Sequence, residues 1–147
     1  MGVQKQTMQQ ITPTLFIGDM QDAMAATSSN FDVLIYLGQE IPMQLCFNCE
    51  PVCLHFPLID GANGLTKIRH TVLLAYITLL SGNKTLVACR AGISRSVCLT
   101  ASMYALSQRI SFDEAYKHVK HVRPQAQPEL NLLNEFRKTT GEVLCCI

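Results

Sequence analysis

The stretch 86–97 reads LVACRAGISRSV and decides the fold of this chain. An apolar, strand-like segment runs up to Cys89, a short loop centred on Gly92 follows, and a second apolar segment begins at Ser94. A Cys and an Arg six positions apart occur by chance about 0.3 times in a chain of this composition. Gly92 and the two Ser residues beside Arg95 make the pattern far more specific. The stretch therefore predicts a strand, a tight loop and a helix.

A loop of this kind is suited to bind a tetrahedral anion. Its backbone N–H groups can converge on one point, because Gly92 permits unusual dihedral angles. The helix N-terminus and the planar guanidinium of Arg95 both attract negative charge, and they favour the nucleophilic thiolate form of Cys89. The predicted phosphate-binding residues are Arg90, Ala91, Gly92, Ile93, Ser94 and Arg95.

Apolar strand-like runs alternate with segments of helical periodicity along the chain. The predicted strands are 15–18, 32–37, 52–58 and 84–89, and the predicted helices are 66–80, 94–107, 111–122 and 129–139. Ser111 and Glu114 form a capping-box pattern, and Gly82 with Asn83 predicts a turn. Continuously apolar strands separated by helices predict an α/β fold, with a central, mostly parallel, twisted sheet of four to five strands and helices on both faces. We expect a single domain over residues 1–147.

Composition excludes several classes of protein. The 147 residues are 48% hydrophobic and 16% charged, and the net charge of +1 gives no reason to expect binding to nucleic acid or to a membrane. The N-terminal ten residues lack the apolar core of a signal peptide, so we expect a cytoplasmic and possibly also nuclear protein. Its seven cysteines are then expected to be reduced thiols. The oligomeric state stays open.

The segment VACRAGISRS closely resembles the active-site loop of the cysteine-dependent protein phosphatases, and it is most similar to the small dual-specificity branch. The similarity extends to ITPTLFIGDMQDA at 11–23, which resembles that branch's opening strand and first helix, and to VRPQAQPELNLLNEF at 122–136, which resembles its closing helix. The resemblance implies phosphorylated proteins as substrates. It also implies a catalytic cycle through a cysteinyl-phosphate on Cys89, with no metal and no cofactor.

An acid is needed to protonate the leaving oxygen. Between Ile41 and Cys89 the chain has two carboxylates, Glu50 and Asp60. Asp60 follows an apolar strand and opens the turn-rich segment DGANG, where ligands of an α/β sheet bind, whereas Glu50 is interpreted as a solvated loop residue. The resemblance implies the same choice, because the family's acid lies about thirty residues before the nucleophile.

Two further positions take their meaning from the resemblance. Ser96 stands where the family has a Ser or Thr that donates a hydrogen bond to the departing thiolate. Ala88 stands where members usually have His, which holds the loop by hydrogen bonds. We therefore expect Cys89 to ionise less readily than in a member with His, and the enzyme either to be slower near neutral pH or to have a higher pH optimum.

Two other functions stay open. Loss of the His is compatible with a catalytically weak pseudophosphatase that binds phosphorylated ligands, although Cys89, Arg95 and Asp60 are all present. Arg90 adds a cation near the mouth of the site, which leaves room for a non-protein phosphomonoester such as a phosphoinositide or an RNA 5′-phosphate.

The other titratable clusters carry weaker hypotheses. CFNCEPVCLH at 46–55 contains four possible zinc ligands within ten residues, an arrangement that gives poor tetrahedral geometry; they are Cys46, Cys49, Cys53 and His55. Cys53 or Cys98 could instead form a redox disulfide with Cys89, or both could be small buried hydrophobic residues. A basic helix end is interpreted as a solvated polar face; its residues are Lys117, His118, Lys120, His121 and Arg123.

Overall fold

The computed structural model describes residues 8–147, and the expectation about an N-terminal signal falls mostly outside them. The strands are β1 Gln9–Thr12, β2 Leu15–Gly18, β3 Val33–Tyr36, β4 Val52–His55 and β5 Thr85–Ala88. The helices are α1 Met20–Ala25, α2 Met43–Asn48, α3 Leu65–Leu80, α4 Arg95–Gln108, α5 Phe112–Val122 and α6 Leu130–Leu144. The predicted α/β architecture is confirmed.

The five strands form one sheet in the order β1-β2-β5-β3-β4. Strand β5 lies at its centre and pairs in parallel with β2 on one side and with β3 on the other. Strand β1 is the antiparallel exception at one edge. Because the carboxyl ends of parallel strands meet at one edge of the sheet, the loop after β5 lies at the middle of that edge, where ligands bind in α/β folds.

Side chains alternate across the strands and bury two cores. Ile35 and Val87 face a large core covered by α3, α4, α5 and α6. Leu34 and Leu86 face a smaller core covered by α1 and α2, which contribute Ala23 and Leu45. Every residue of β3 and β5 is buried, which accounts for their continuously apolar sequences.

The capping and turn residues in the sequence predicted most ends of the helices and strands to within a few residues. Ser111 accepts a hydrogen bond from Glu114 N at 3.1 Å and caps α5, and Gly82 has the positive φ expected of a turn. The predicted strand 52–58 is shorter than expected, because pairing ends at His55. Strand β1 and helix α2 had no counterpart among the predicted elements, and both are too short for periodicity to reveal.

None of the helices within residues 8–147 is both long and apolar enough to cross a bilayer.

Candidate active site

Cys89 directly follows β5 and lies at the base of a loop that ends where α4 begins. Its side chain is buried, with 2% of its surface exposed. The sulfur lies 3.2 Å from Ser96 Oγ and 3.4 Å from Ser96 N, so the first turn of α4 presents both a hydroxyl and a backbone N–H to it. The structure thus brings Cys89 and Ser96 into direct contact, and the catalytic role that the family resemblance implies for Ser96 stays a prediction.

Three carbonyl groups of the loop accept hydrogen bonds from outside it. These bonds run from Met20 N to Arg90 O (3.2 Å), from Arg123 Nε to Gly92 O (2.6 Å) and from Gln127 N to Ile93 O (2.7 Å). Because C=O and the following N–H point in opposite directions across a trans peptide, outward carbonyls turn the next N–H groups inward. The backbone is thereby shaped as a cradle for an anion.

Gly92 is required at its position for two reasons. Its φ is +70°, in the region that favours glycine. A Cβ there would also lie 2.5 Å from Arg123 Nη2 and 2.8 Å from Gly18 O, both far inside van der Waals contact. The loop therefore passes directly over a buried guanidinium.

Arg123 lies beneath the loop, so its interpretation as part of a solvated polar face is wrong. It is 1% exposed, its Nη1 donates to Gln9 Oε1, and the charges of Asp22 and Asp19 act on it. Burial lowers the pKa of Arg123, and the two carboxylates oppose that effect. A helix-ending Arg before a Pro gave no sign of burial, because its partners Gly92 and Gln9 lie 31 and 114 residues away in the chain.

Asp60 reaches the same loop through Ser94. Ser94 Oγ donates to Asp60 Oδ1 at 2.5 Å and accepts from Glu129 N at 2.9 Å. Since a backbone N–H can only donate, the Ser94 hydroxyl proton is directed toward Asp60. Ser94 was predicted to bind phosphate; in the structure its side chain is committed to Asp60, and only its backbone N–H is left for that role.

Arg95 lies at the start of α4 and faces a polar cavity. Its Nη1 donates to Leu58 O at 3.0 Å, which fixes the guanidinium against the segment that leads to Asp60. The cavity has a volume of about 520 Å³ and is lined by Tyr36, Gly38, Gln39, Glu40, Arg90 and Arg95. Burial and the charge of Cys89 raise the pKa of Tyr36, and the charges of Arg95 and Arg90 oppose that effect.

Ala88 is fully buried, and its register neighbours are Gly18 and Tyr36. Tyr36 is also buried and belongs to the same small core as Ala88. Apolar packing therefore supports β5 at this point.

All seven cysteines lie within the described residues and are free thiols. Cys98 is buried in α4, and burial together with the charges of Asp60 and Cys89 raises its pKa. Cys53 is hydrogen-bonded to Cys49, and burial is the main cause that raises the pKa of Cys53 to about 11. A disulfide from either residue to Cys89 stays a prediction. Among residues 8–147, no three His, Cys, Asp or Glu side chains are placed so that they could hold a metal ion together, and this includes the candidate ligands Cys46 and His55.

Comparison with known proteins identifies the family. The family described as "Dual specificity phosphatase, catalytic domain" matches residues 65–140, which is more than half of the chain. The match covers α3, β5, the loop after Cys89, α4, α5 and most of α6.

Individual relatives agree with this match. The chain is 29% identical to "Tyrosine-protein phosphatase vhp-1" of Caenorhabditis elegans over 86% of this chain, but it spans only 20% of that protein. It is 24% identical to "Putative tyrosine phosphatase 123R" of Invertebrate iridescent virus 6, covering 86% of this chain and 87% of the viral one.

A crystal structure of a mouse putative dual specificity phosphatase, complexed with zinc tungstate, has the same fold. It superposes with a TM-score of 0.80 over 99% of this chain and 94% of the mouse chain, at 23% identity. Fold, loop and family match agree, and the chain belongs to the dual specificity phosphatase catalytic domain family.

Proposed function

We propose that the chain is a single-domain protein phosphatase that hydrolyses phosphotyrosine and phosphoserine or phosphothreonine through a cysteinyl-phosphate intermediate. The observation that supports it most is the loop backbone: three carbonyls are held outward by Met20, Arg123 and Gln127, around a buried Cys89. Such a cradle stabilises a phosphoryl group and the thiolate beneath it with the same N–H groups.

In the first step the Cys89 thiolate attacks phosphorus, and a sulfur–phosphorus bond forms as the bond to the leaving oxygen breaks. Asp60 gives its proton to that oxygen, so a neutral alcohol or phenol departs. Arg95 holds two phosphoryl oxygens through its fork of donors and follows them into the transition state. Its bond to Leu58 O pre-orients that fork relative to Asp60.

In the second step Asp60, now a carboxylate, takes a proton from water as the water oxygen attacks phosphorus. The sulfur–phosphorus bond breaks, inorganic phosphate leaves and Cys89 returns as a thiolate. Ser96 stabilises that leaving thiolate, since its Oγ lies 3.2 Å from the sulfur. Because Ser94 already donates to Oδ1 of Asp60, Oδ2 is the oxygen that carries the transferred proton in both steps.

The cavity beside Arg95 supports a protein substrate. Arg90 and Arg95 attract the phosphoryl group, whereas Glu40 on the same wall repels further negative charge. This mixture suits a phosphorylated side chain better than a ligand that carries several phosphates. We place the protein in the cytoplasm or nucleus, because seven free thiols are typical of a reducing compartment.

Purified protein would be assayed on phosphotyrosyl and phosphothreonyl peptides and on a phosphoinositide. Wild type is compared with Cys89→Ser and Asp60→Asn, and Cys46→Ser, an exposed thiol, is the matched control. We expect Cys89→Ser to abolish turnover, Asp60→Asn to lower it by about 10²–10⁴-fold and the control to keep it. Mass spectrometry of acid-quenched wild type should find phosphate on Cys89.

Turnover that survives in Cys89→Ser would refute the mechanism. Peptide binding without turnover in wild type would favour the pseudophosphatase, and a clear preference for the phosphoinositide would favour the non-protein substrate.

A further inference from the structure

The segment that carries Asp60, between β4 and α3, is closed internally by one side chain. Asn63 Oδ1 accepts from Ile59 N at 2.9 Å, and Asn63 Nδ2 donates to Ile59 O and to Gly61 O, both at 2.9 Å. These bonds surround Asp60 on both sides. The segment is therefore a compact turn that can move only as one unit.

That turn is held to a distant helix by a carboxylate. Glu135 on α6 accepts from Asn63 N through Oε1 and from Gly64 N through Oε2, each at 2.8 Å. Both of its oxygens are thus used on backbone donors of the Asp60 turn. Hydrogen bonds from N–H to a carboxylate are about twice as strong as those between neutral groups.

Glu135 also compensates for a missing helix cap. Gly64 is the N-cap residue of α3 and has no side chain to cap the helix, and the first turn of α3 contains no acidic residue. The partial positive charge of that helix end is therefore met by a carboxylate from α6. This hydrogen bond holds Gly64 N against Glu135, and the φ of +96° at Gly64 lies in the region that favours glycine.

Helix α6 consequently holds both halves of the site. Just before its first residue, Glu129 N donates to Ser94 Oγ, which in turn donates to Asp60. Two turns further along, Glu135 holds the backbone that follows Asp60. The two contacts fix the Asp60 turn relative to the loop that carries Cys89.

We infer that Glu135 is a positioning residue that places the acid Asp60 for proton transfer. The inference rests on the proposed function, because Asp60 must be the acid. A carboxyl that has moved by about 1 Å costs up to 10²-fold in rate. The loss should depend on the leaving group, since a weakly acidic phenol needs the proton and a strongly acidic one leaves without it.

The test compares kcat/KM on phenyl phosphate and p-nitrophenyl phosphate for Glu135→Ala, Glu135→Gln and the surface control Glu142→Ala. We expect Glu135→Ala to lose about 10- to 100-fold on phenyl phosphate and under about threefold on p-nitrophenyl phosphate. Glu135→Gln keeps one acceptor oxygen and should fall between. Glu142, exposed on the same helix, should leave both values within about twofold.

A double-mutant cycle separates positioning from general structural damage. If Glu135 acts through Asp60, Glu135→Ala should cause under about twofold further loss in the Asp60→Asn background. Equal losses on both substrates, or in both backgrounds, would overturn the inference. If Glu135→Ala melts at a lower temperature than wild type, the comparison of kcat/KM uses Glu135→Gln in its place. If neither variant folds, Glu135 has a structural role and the inference is overturned.

The proposed function can fail separately. If Asp60→Asn lowers kcat/KM equally on phenyl phosphate and p-nitrophenyl phosphate, or not at all, Asp60 is not the acid and Glu135 has no acid to position.

Discussion

Replacing Arg123 by Met tests whether a buried cation supports the phosphate cradle. The substitution keeps an unbranched apolar stem but shortens the side chain, and it removes the donor to Gly92 O and the donor to Gln9 Oε1. It also removes the positive charge that faces Asp22 and Asp19, of which Asp22 is 4% exposed. The Asp22 carboxylate then loses a nearby positive charge, and the Gly92 carbonyl loses its donor.

The cost follows from burial. Asp22 loses a nearby opposite charge but keeps its hydrogen bond from Asp19 N, so this loss should lie near the lower end of the about 3–5 kcal/mol that is typical when one partner of a buried charge pair is removed. A buried carbonyl that loses its donor costs about 1–3 kcal/mol. The two losses share one site, so we expect Arg123→Met to lower the free energy of unfolding by about 3–5 kcal/mol. Arg69→Met is the matched control: its ion pair with Glu142 is half exposed and contributes under about 1 kcal/mol.

Urea unfolding at neutral pH measures this directly. With a slope of about 2 kcal/mol per M, the midpoint of Arg123→Met should fall by about 2 M. Inorganic phosphate, tested as a competitive inhibitor, should bind at least about 10-fold more weakly, since Gly92 O is no longer held outward. A loss of stability below about 1 kcal/mol with unchanged inhibition by phosphate would refute the reasoning.

Three further perturbations give separate tests. Gly92→Ala should lower the free energy of unfolding by about 2–5 kcal/mol and abolish inhibition by phosphate, because the φ of +70° and the contacts of the added Cβ are both unfavourable. An unchanged melting curve would contradict this expectation. Ala88→His should lower the melting temperature by about 3–10 °C through overpacking beside Tyr36, and equal melting temperatures would show that the site has room. The pKa of Cys53 is raised from 9.0 to about 11, so its contribution to stability is complete below about pH 9 and is lost as pH rises toward 11. Cys53→Ala should therefore flatten the alkaline decline in urea midpoint, and an identical pH profile would contradict the shift.

Much of the site could be predicted because it is local in the chain. Cys89, Gly92, Arg95 and Ser96 belong to one strand–loop–helix unit, and their spacing encodes both the backbone shape and the chemistry. Asp60 followed from the scarcity of carboxylates before Cys89. For the same reason the long helices and buried strands were predictable, since periodicity repeats within each element.

What only the tertiary structure decided depends on partners far apart in the chain. Arg123 had the spacing of a surface residue, yet helix α5 ends beneath the loop and buries it against β1 and α1. Glu135 and Ser94 gained their contacts because α6 packs beside the Asp60 turn. The sequence by itself was enough to select the groups that we propose for the chemistry. The packing of helices on the sheet decided which residues hold those groups in place, because hydrogen bonds between distant segments leave no periodic trace in sequence.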